Sequence, residues 1–262
     1  MPFTFLSHQA VVLPFKIARP AWWNGTALVF GSMAPDVEYF LRGEPYSAYG
    51  HSLLGQLTFC LPVTLLLVLV FRGIFAGPVG AHFPATGFPS LASIPRTWRY
   101  WLLAVPSALV GSGSHVLWDG FTHREGIVAR RWDLLRETAF TIGGHPVPVC
   151  RVLQHGSTLA GGVATIVLLG WIVRRTSLLS RGAVAFAPTR ATWIALLVPT
   201  AVGLLAGATL GALRGGDVAR LAVVSFLRAT TLGTFGLAFG CVLSEHLARA
   251  RRPLSEPLPA AP

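Results

Sequence analysis

The chain has 262 residues, 53% of them hydrophobic and only 12% charged, where an ordinary soluble domain is about 25% charged. Mean hydropathy is +0.60, and several apolar runs approach the roughly 20 residues that cross a bilayer core, which excludes a soluble globular class and predicts an integral membrane protein. The net charge of +11 would suggest a nucleic-acid partner in a soluble protein, but the arginines stand mainly at the ends of apolar runs, where they anchor helices at the headgroups, and no nucleic acid is expected.

The N-terminal MPFTFLSHQAVVLPFK carries its first positive charge after its apolar residues, the reverse of a signal peptide, and is expected to stay on the chain. Two short apolar pieces follow, 3 to 15 with Pro14 and 26 to 41 with Pro35, Asp36 and Glu38. Neither is a comfortable span, and both are expected at the interface or dipping back into the protein. Five runs are expected to cross: 52 to 71, 100 to 118, 152 to 173, 192 to 213, and 221 to 243, the last with Arg228 near its start. Glycine and alanine are frequent in the last three, which suits close helix packing in lipid.

Residues 73 to 99, rich in Gly and Pro, read as a loop. The expected class is all-α: a polytopic membrane protein with about five transmembrane helices and N-terminal interfacial helices. Residues 1–175 form a membrane domain carrying the polar residues, 176–248 add two further spans of the same unit, and 249–262 form a disordered tail. Cys60, Cys150 and Cys241 are isolated and read as buried small hydrophobes, with no disulfide framework.

Five crossings place residues 1 to 51 on the same membrane face as the loops 119 to 151 and 214 to 220. His51 immediately precedes the first span, His115 and Asp119 close the second, and His155 opens the third. His8, Asp36, Glu38 and His123 fall on that face too. Eight of the ten acids lie there, leaving Glu245 and Glu256 opposite.

The stretch SHVLWDGFTH puts His115, Asp119 and His123 four residues apart. On a helix they fan across roughly 80° of one side, with a break at Gly120 the threat to His123. An acid near a bilayer is costly, by about 2.5 to 3.5 kcal/mol at a helix centre and less near its end. A metal ion offsets that cost by turning the carboxylate into a ligand. Imidazole and carboxylate suit zinc, with manganese or iron as alternatives.

The candidates are His8, Asp36, His51, His115, Asp119, His123 and His155, enough for two ions with a bridging carboxylate or one ion with an outer layer of support. The chemistry such a set supports is metal-assisted hydrolysis, with Asp119 and His123 in catalytic roles and His8, Asp36, His51, His115, Asp119 and His155 as ligands. A site at headgroup level would meet phospholipid or polyprenyl-phosphate substrates, with Arg124 or Arg151 holding the phosphate. Glu38 reads as a solvated acid, and His145 as a turn residue.

MPFTFLSH at the start, GSMAPDVEYFLR at 31 to 42, YGHSLLG at 49 to 55, SHVLWDGFTH at 114 to 123 and LQHGS at 153 to 157 resemble the family of bacterial membrane proteins catalogued as domain of unknown function 4184. The order His, Pro-Asp, His-Ser, His-x-x-x-Asp is also similar to inner-membrane proteins of the YdjM type, classed as metal-dependent hydrolases. A fainter likeness reaches zinc-dependent phospholipase C proteins. These resemblances imply His8, Asp36, His51, His115 and Asp119 as ligands.

Two other readings stand beside a hydrolase: a non-enzymatic membrane protein with a structural His/Asp network, and a carrier with ionisable groups near the midplane. The protein is expected in the cell membrane, and the arginines nearest the span ends favour the cluster face as the extracytoplasmic one.

Overall fold

The computed structural model of the chain describes residues 6–44, 46, 49–175 and 184–251. Seven helices carry the fold: α1 (Gln9–Ala18), α2 (Gly25–Arg42), α3 (Leu53–His82), α4 (Trp98–Thr122), α5 (Val149–Arg175), α6 (Arg190–Ala212) and α7 (Val218–Ala250). Helices α3 to α7 are long and apolar enough to cross a membrane. Much of their apolar surface faces outward, with Leu53 91% exposed. A belt of that kind marks a surface made for lipid or another apolar partner.

The first expected span is longer than its apolar run. α3 continues from Leu53 to His82, so ten residues placed in the 73–99 loop, 73 to 82, are helical. Two turns of the wide π type interrupt α3, at Gln56–Cys60 and Phe71–Phe75. Arg72, which marked the end of the apolar run, sits in the second π turn and donates from Nε to the Ser93 carbonyl at 2.7 Å. Proline does not break the short elements either: α1 runs through Pro14 and α2 through Pro35. Two β-strands, Thr138–Ile142 (β1) and His145–Pro148 (β2), pair antiparallel across Gly143 and Gly144, both at positive φ. That hairpin lies within the segment 119 to 151, where the all-α expectation placed no strand.

Contacts divide the chain into two compact units. The first comprises residues 1–38, 47–65 and 97–171. Within it, α2 and α4 cross with their backbones nearly touching. A Cβ on Gly31 would lie 2.5 Å from the Ala108 carbonyl oxygen, and one on Gly111 would lie 2.6 Å from the Leu28 carbonyl oxygen. Only a residue without a side chain allows that approach, the usual device for packing helices in lipid. Asn24 begins α2, its Oδ1 accepting from the Ala27 amide, and its own amide donates to Ser107 Oγ on α4 at 2.9 Å.

The second unit comprises residues 39–46, 66–96 and 172–262. Its helices α6 and α7 form a hairpin in which Gly203, Gly207 and Gly211 meet the α7 backbone near Leu232, Arg228 and Ser225. A Thr189 capping box starts α6 and Asp217 caps α7. Arg228 packs its stem and guanidinium against Gly43, just past the end of α2. α7 extends to Ala250, so the expected tail begins inside a helix; residues 252–262 lie outside those described.

Candidate metal centre

The polar residues of the first unit converge where α3 begins and α4 ends. The α2–α4 crossing carries His115 against α2, where it is fully buried. Its Nδ1 donates to the Ser32 carbonyl oxygen at 2.7 Å. A carbonyl can only accept, so one proton is fixed on Nδ1, and Nε2 is left as the atom available to a carboxylate or a metal ion. Nε2 faces Asp36 Oδ1 and Asp119 Oδ2, each 3.4 Å away.

His51 arrives from the other side. Gly50 lets the chain before α3 press onto α2, since a Cβ there would lie 2.8 Å from the Pro35 carbonyl oxygen. The Gly50 amide donates to Glu38 Oε2 at 2.9 Å, and its carbonyl accepts from Gln56 Nε2 at 2.7 Å. Held in this way, His51 Nε2 stands 3.7 Å from Asp36 Oδ1 and 3.4 Å from Asp119 Oδ2. Ser52 meanwhile caps the first turn of α3 by accepting from the Gly55 amide.

Asp36, His51, His115 and Asp119 thus offer four ligand atoms all within 4.8 Å of one another. The nearest separations, 3.4 to 3.7 Å, exceed an ordinary N–H···O hydrogen bond of about 2.7 to 3.2 Å. Three of them, at 3.4 Å, lie close to the roughly 3.3 to 3.4 Å edge of a tetrahedron whose centre is about 2.0 to 2.1 Å from each corner, as in a zinc shell, and the fourth, at 3.7 Å, is longer. Asp36 is only 2% exposed, and its Oδ2 has no hydrogen-bond partner. Burial raises the affinity of the Asp36 carboxylate for a proton, but His115 beside it holds its pKa below the usual value. Among the described residues no arginine or lysine pairs with Asp36 or Asp119.

The remaining candidates divide. His8, 2% exposed, stacks on His115 with ring centroids 3.8 Å apart and planes at 20°. Burial, reinforced by His115, pushes its pKa down to about 3, so it is neutral. His123 caps the C-terminus of α4, which runs on past Gly120 to Thr122. Burial lowers its pKa, and its Nε2 is 3.0 Å from Gln154 Nε2.

His155 is not brought into the group. It is exposed on α5, while its neighbour Gln154 is buried and turned toward His123. Glu38, read as solvated, is buried and holds Gly50. Its acidic neighbour Asp36, two residues earlier, was the only hint that this helix faces inward on more than one side.

Beside His123 opens a cavity of about 560 Å³, walled by the β1–β2 hairpin and the start of α5. Arg124, His145, Arg151 and His155 line it, and no acidic side chain does. A smaller, mainly apolar cavity of about 130 Å³ reaches His8 between Val11, Trp118 and Gly161.

The family model described as domain of unknown function DUF4184 matches residues 1–244. The chain belongs to the DUF4184 family. No curated protein and no solved structure matches it. The match covers all the ligand candidates and reaches into α7, so the last two spans belong to the DUF4184 domain as well as the His/Asp half.

Proposed function

We propose that this DUF4184 protein is a membrane-bound, metal-dependent hydrolase acting on a phosphoester at the bilayer surface. The carrying observation is the group of four ligand atoms of Asp36, His51, His115 and Asp119 within 4.8 Å of one another. An ion bound there, zinc or, by the same donor types, manganese or iron, would lower the pKa of bound water to about 7. Asp36 and His115 would hold it from the buried side. His51 and Asp119, more exposed, border the side from which water and substrate arrive. In the reading with a single ion, Asp119 Oδ1 and His123 take the proton of the attacking water and return it to the departing oxygen.

The phosphoester class is supported by the adjoining cavity. Arg124 and Arg151, together with His145 and His155, supply donors to a phosphate and no competing acid. The exposed apolar surface of the spans supports a substrate that never leaves the lipid, such as a phospholipid or polyprenyl phosphate. Arg99, at the far end of α4, supports an orientation with the cluster outside the cytoplasm. A purely structural network would leave its polar atoms satisfied. Here His115 Nε2 and Asp119 Oδ1 are buried without hydrogen-bond partners, which favours the metal reading.

The test is metal analysis of purified protein. Wild type is expected to retain a stoichiometric divalent metal, with His115→Ala and Asp119→Ala depleted. Equal content near zero in all three removes the hydrolase reading. Activity is then sought on phosphoester lipids in mixed micelles, where metal-loaded wild type cleaves and the chelated protein does not.

A further inference from the structure

Four atoms account for one ion. Two more ring nitrogens gather around the other oxygen of Asp119. Oδ1 lies 3.6 Å from His8 Nε2 and 3.6 Å from His123 Nδ1. Asp119 Oδ1 and both ring nitrogens of His8 are buried without hydrogen-bond partners. A carboxylate oxygen facing imidazole nitrogens across that distance, away from water, loses hydration and gains no bond in return. The separation again suits ligand atoms that share an ion.

The ring stacking adds an independent constraint. His8 and His115 lie nearly parallel at 3.8 Å, and their Nε2 atoms face different oxygens of one carboxylate. Ions held by the two rings would stand about as far apart as the rings themselves. That spacing falls in the roughly 3.5 to 4 Å of two-metal hydrolytic sites.

We infer that the centre is binuclear, with Asp119 bridging: Oδ2 meets the first ion with Asp36, His51 and His115, and Oδ1 meets a second ion held by His8 Nε2 and His123 Nδ1. The inference rests on the metal-centre reading above and turns His8 and His123 into ligands. It requires His123 to carry its proton on Nε2, with the Gln154 carboxamide presenting its oxygen to that N–H across the 3.0 Å contact. The second ion has a carboxylate oxygen, two imidazoles and water, a set for zinc or manganese. It lies toward His123 and therefore toward the basic cavity, where it would receive a phosphate oxygen.

The experiment uses the full chain in detergent, stripped with a chelator, reloaded with Mn(II) and freed of excess ion. Metal per chain and the electron paramagnetic resonance spectrum are read together. Wild type is expected to hold two ions with the spectrum of an exchange-coupled pair. His8→Ala and, separately, His123→Ala are expected to hold one, with the spectrum of an isolated Mn(II). One ion in wild type, or two retained in both variants, overturns the second position and leaves the first standing. No bound ion in wild type removes both readings. Wild-type stoichiometry and coupling decide the matter even if a variant fails to fold.

Discussion

At the scale of single residues, the geometry of the His/Asp group depends on residues outside it. Glu38 holds the Gly50 amide, and Gly50 sets the approach of His51. Removing the support of a metal ligand typically costs about 10- to 100-fold in metal affinity. Glu38→Ala is therefore expected to weaken binding of the first ion by that order in a competition titration, while Glu38→Gln, which keeps an acceptor oxygen, stays near wild type. A titration that cannot separate Glu38→Ala from wild type refutes the role.

His8 gives a pH dependence. Its pKa is about 3 in the fold against 6.5 unperturbed, so the unfolded chain gains a proton that the native chain refuses. His8's contribution to stability is present above pH 6.5 and is lost as pH falls toward about 3. Metal-free wild type should lose thermal stability across that window, and His8→Gln should lose less.

The pairing of His115 with Asp119 was legible because helical spacing of four is visible in any sequence. His155 was chosen by residue type. Adjacent helical residues point about 100° apart, and the side chain that turns inward is Gln154.

At the scale of elements, the α2–α4 crossing places His115 Nδ1 on the Ser32 carbonyl. A side chain at Gly111 would strike the α2 backbone at Leu28 and Ser32. Gly111→Val is expected to destabilise the protein by roughly 1 to 3 kcal/mol through overpacking and to abolish metal retention. Denaturant unfolding in detergent, paired with metal analysis, checks both effects. The two strands were not legible: their hairpin carries exposed side chains such as Phe140 and Ile142, and the positive φ of Gly143 and Gly144 is the one local signal. If the hairpin walls a phosphate cavity, replacing residues 138–148 with a short Gly-Ser linker should leave metal content intact and raise the KM for a phosphoester. Loss of the metal instead would make the hairpin part of the scaffold.

At the scale of the whole molecule, composition alone was enough for the membrane class, because five apolar runs leave little else to build. Span ends were less legible. Arg72 and the following glycines imitate a boundary, yet α3 continues for ten residues past Arg72 to His82. Orientation is testable at this scale. Glu125→Cys is exposed beside the cluster, whereas the natural Cys60, Cys150 and Cys241 are buried. An impermeant thiol reagent is expected to label Glu125→Cys in intact cells; labelling only after lysis would place the cluster in the cytoplasm.

The π turn at Gln56–Cys60 has a consequence for how the chain tolerates length changes. A turn of that kind holds one residue more than the regular helix needs. Deleting one residue inside it should let α3 re-wind without rotating the segment from Leu61 onward, whereas the same deletion further along would swing the downstream face by about 100°. The surplus residue nevertheless has a use: Gln56 and Cys60 both reach the Gly50 carbonyl from this turn. A chain shortened there should still insert and fold while its histidine at position 51 loses its mooring.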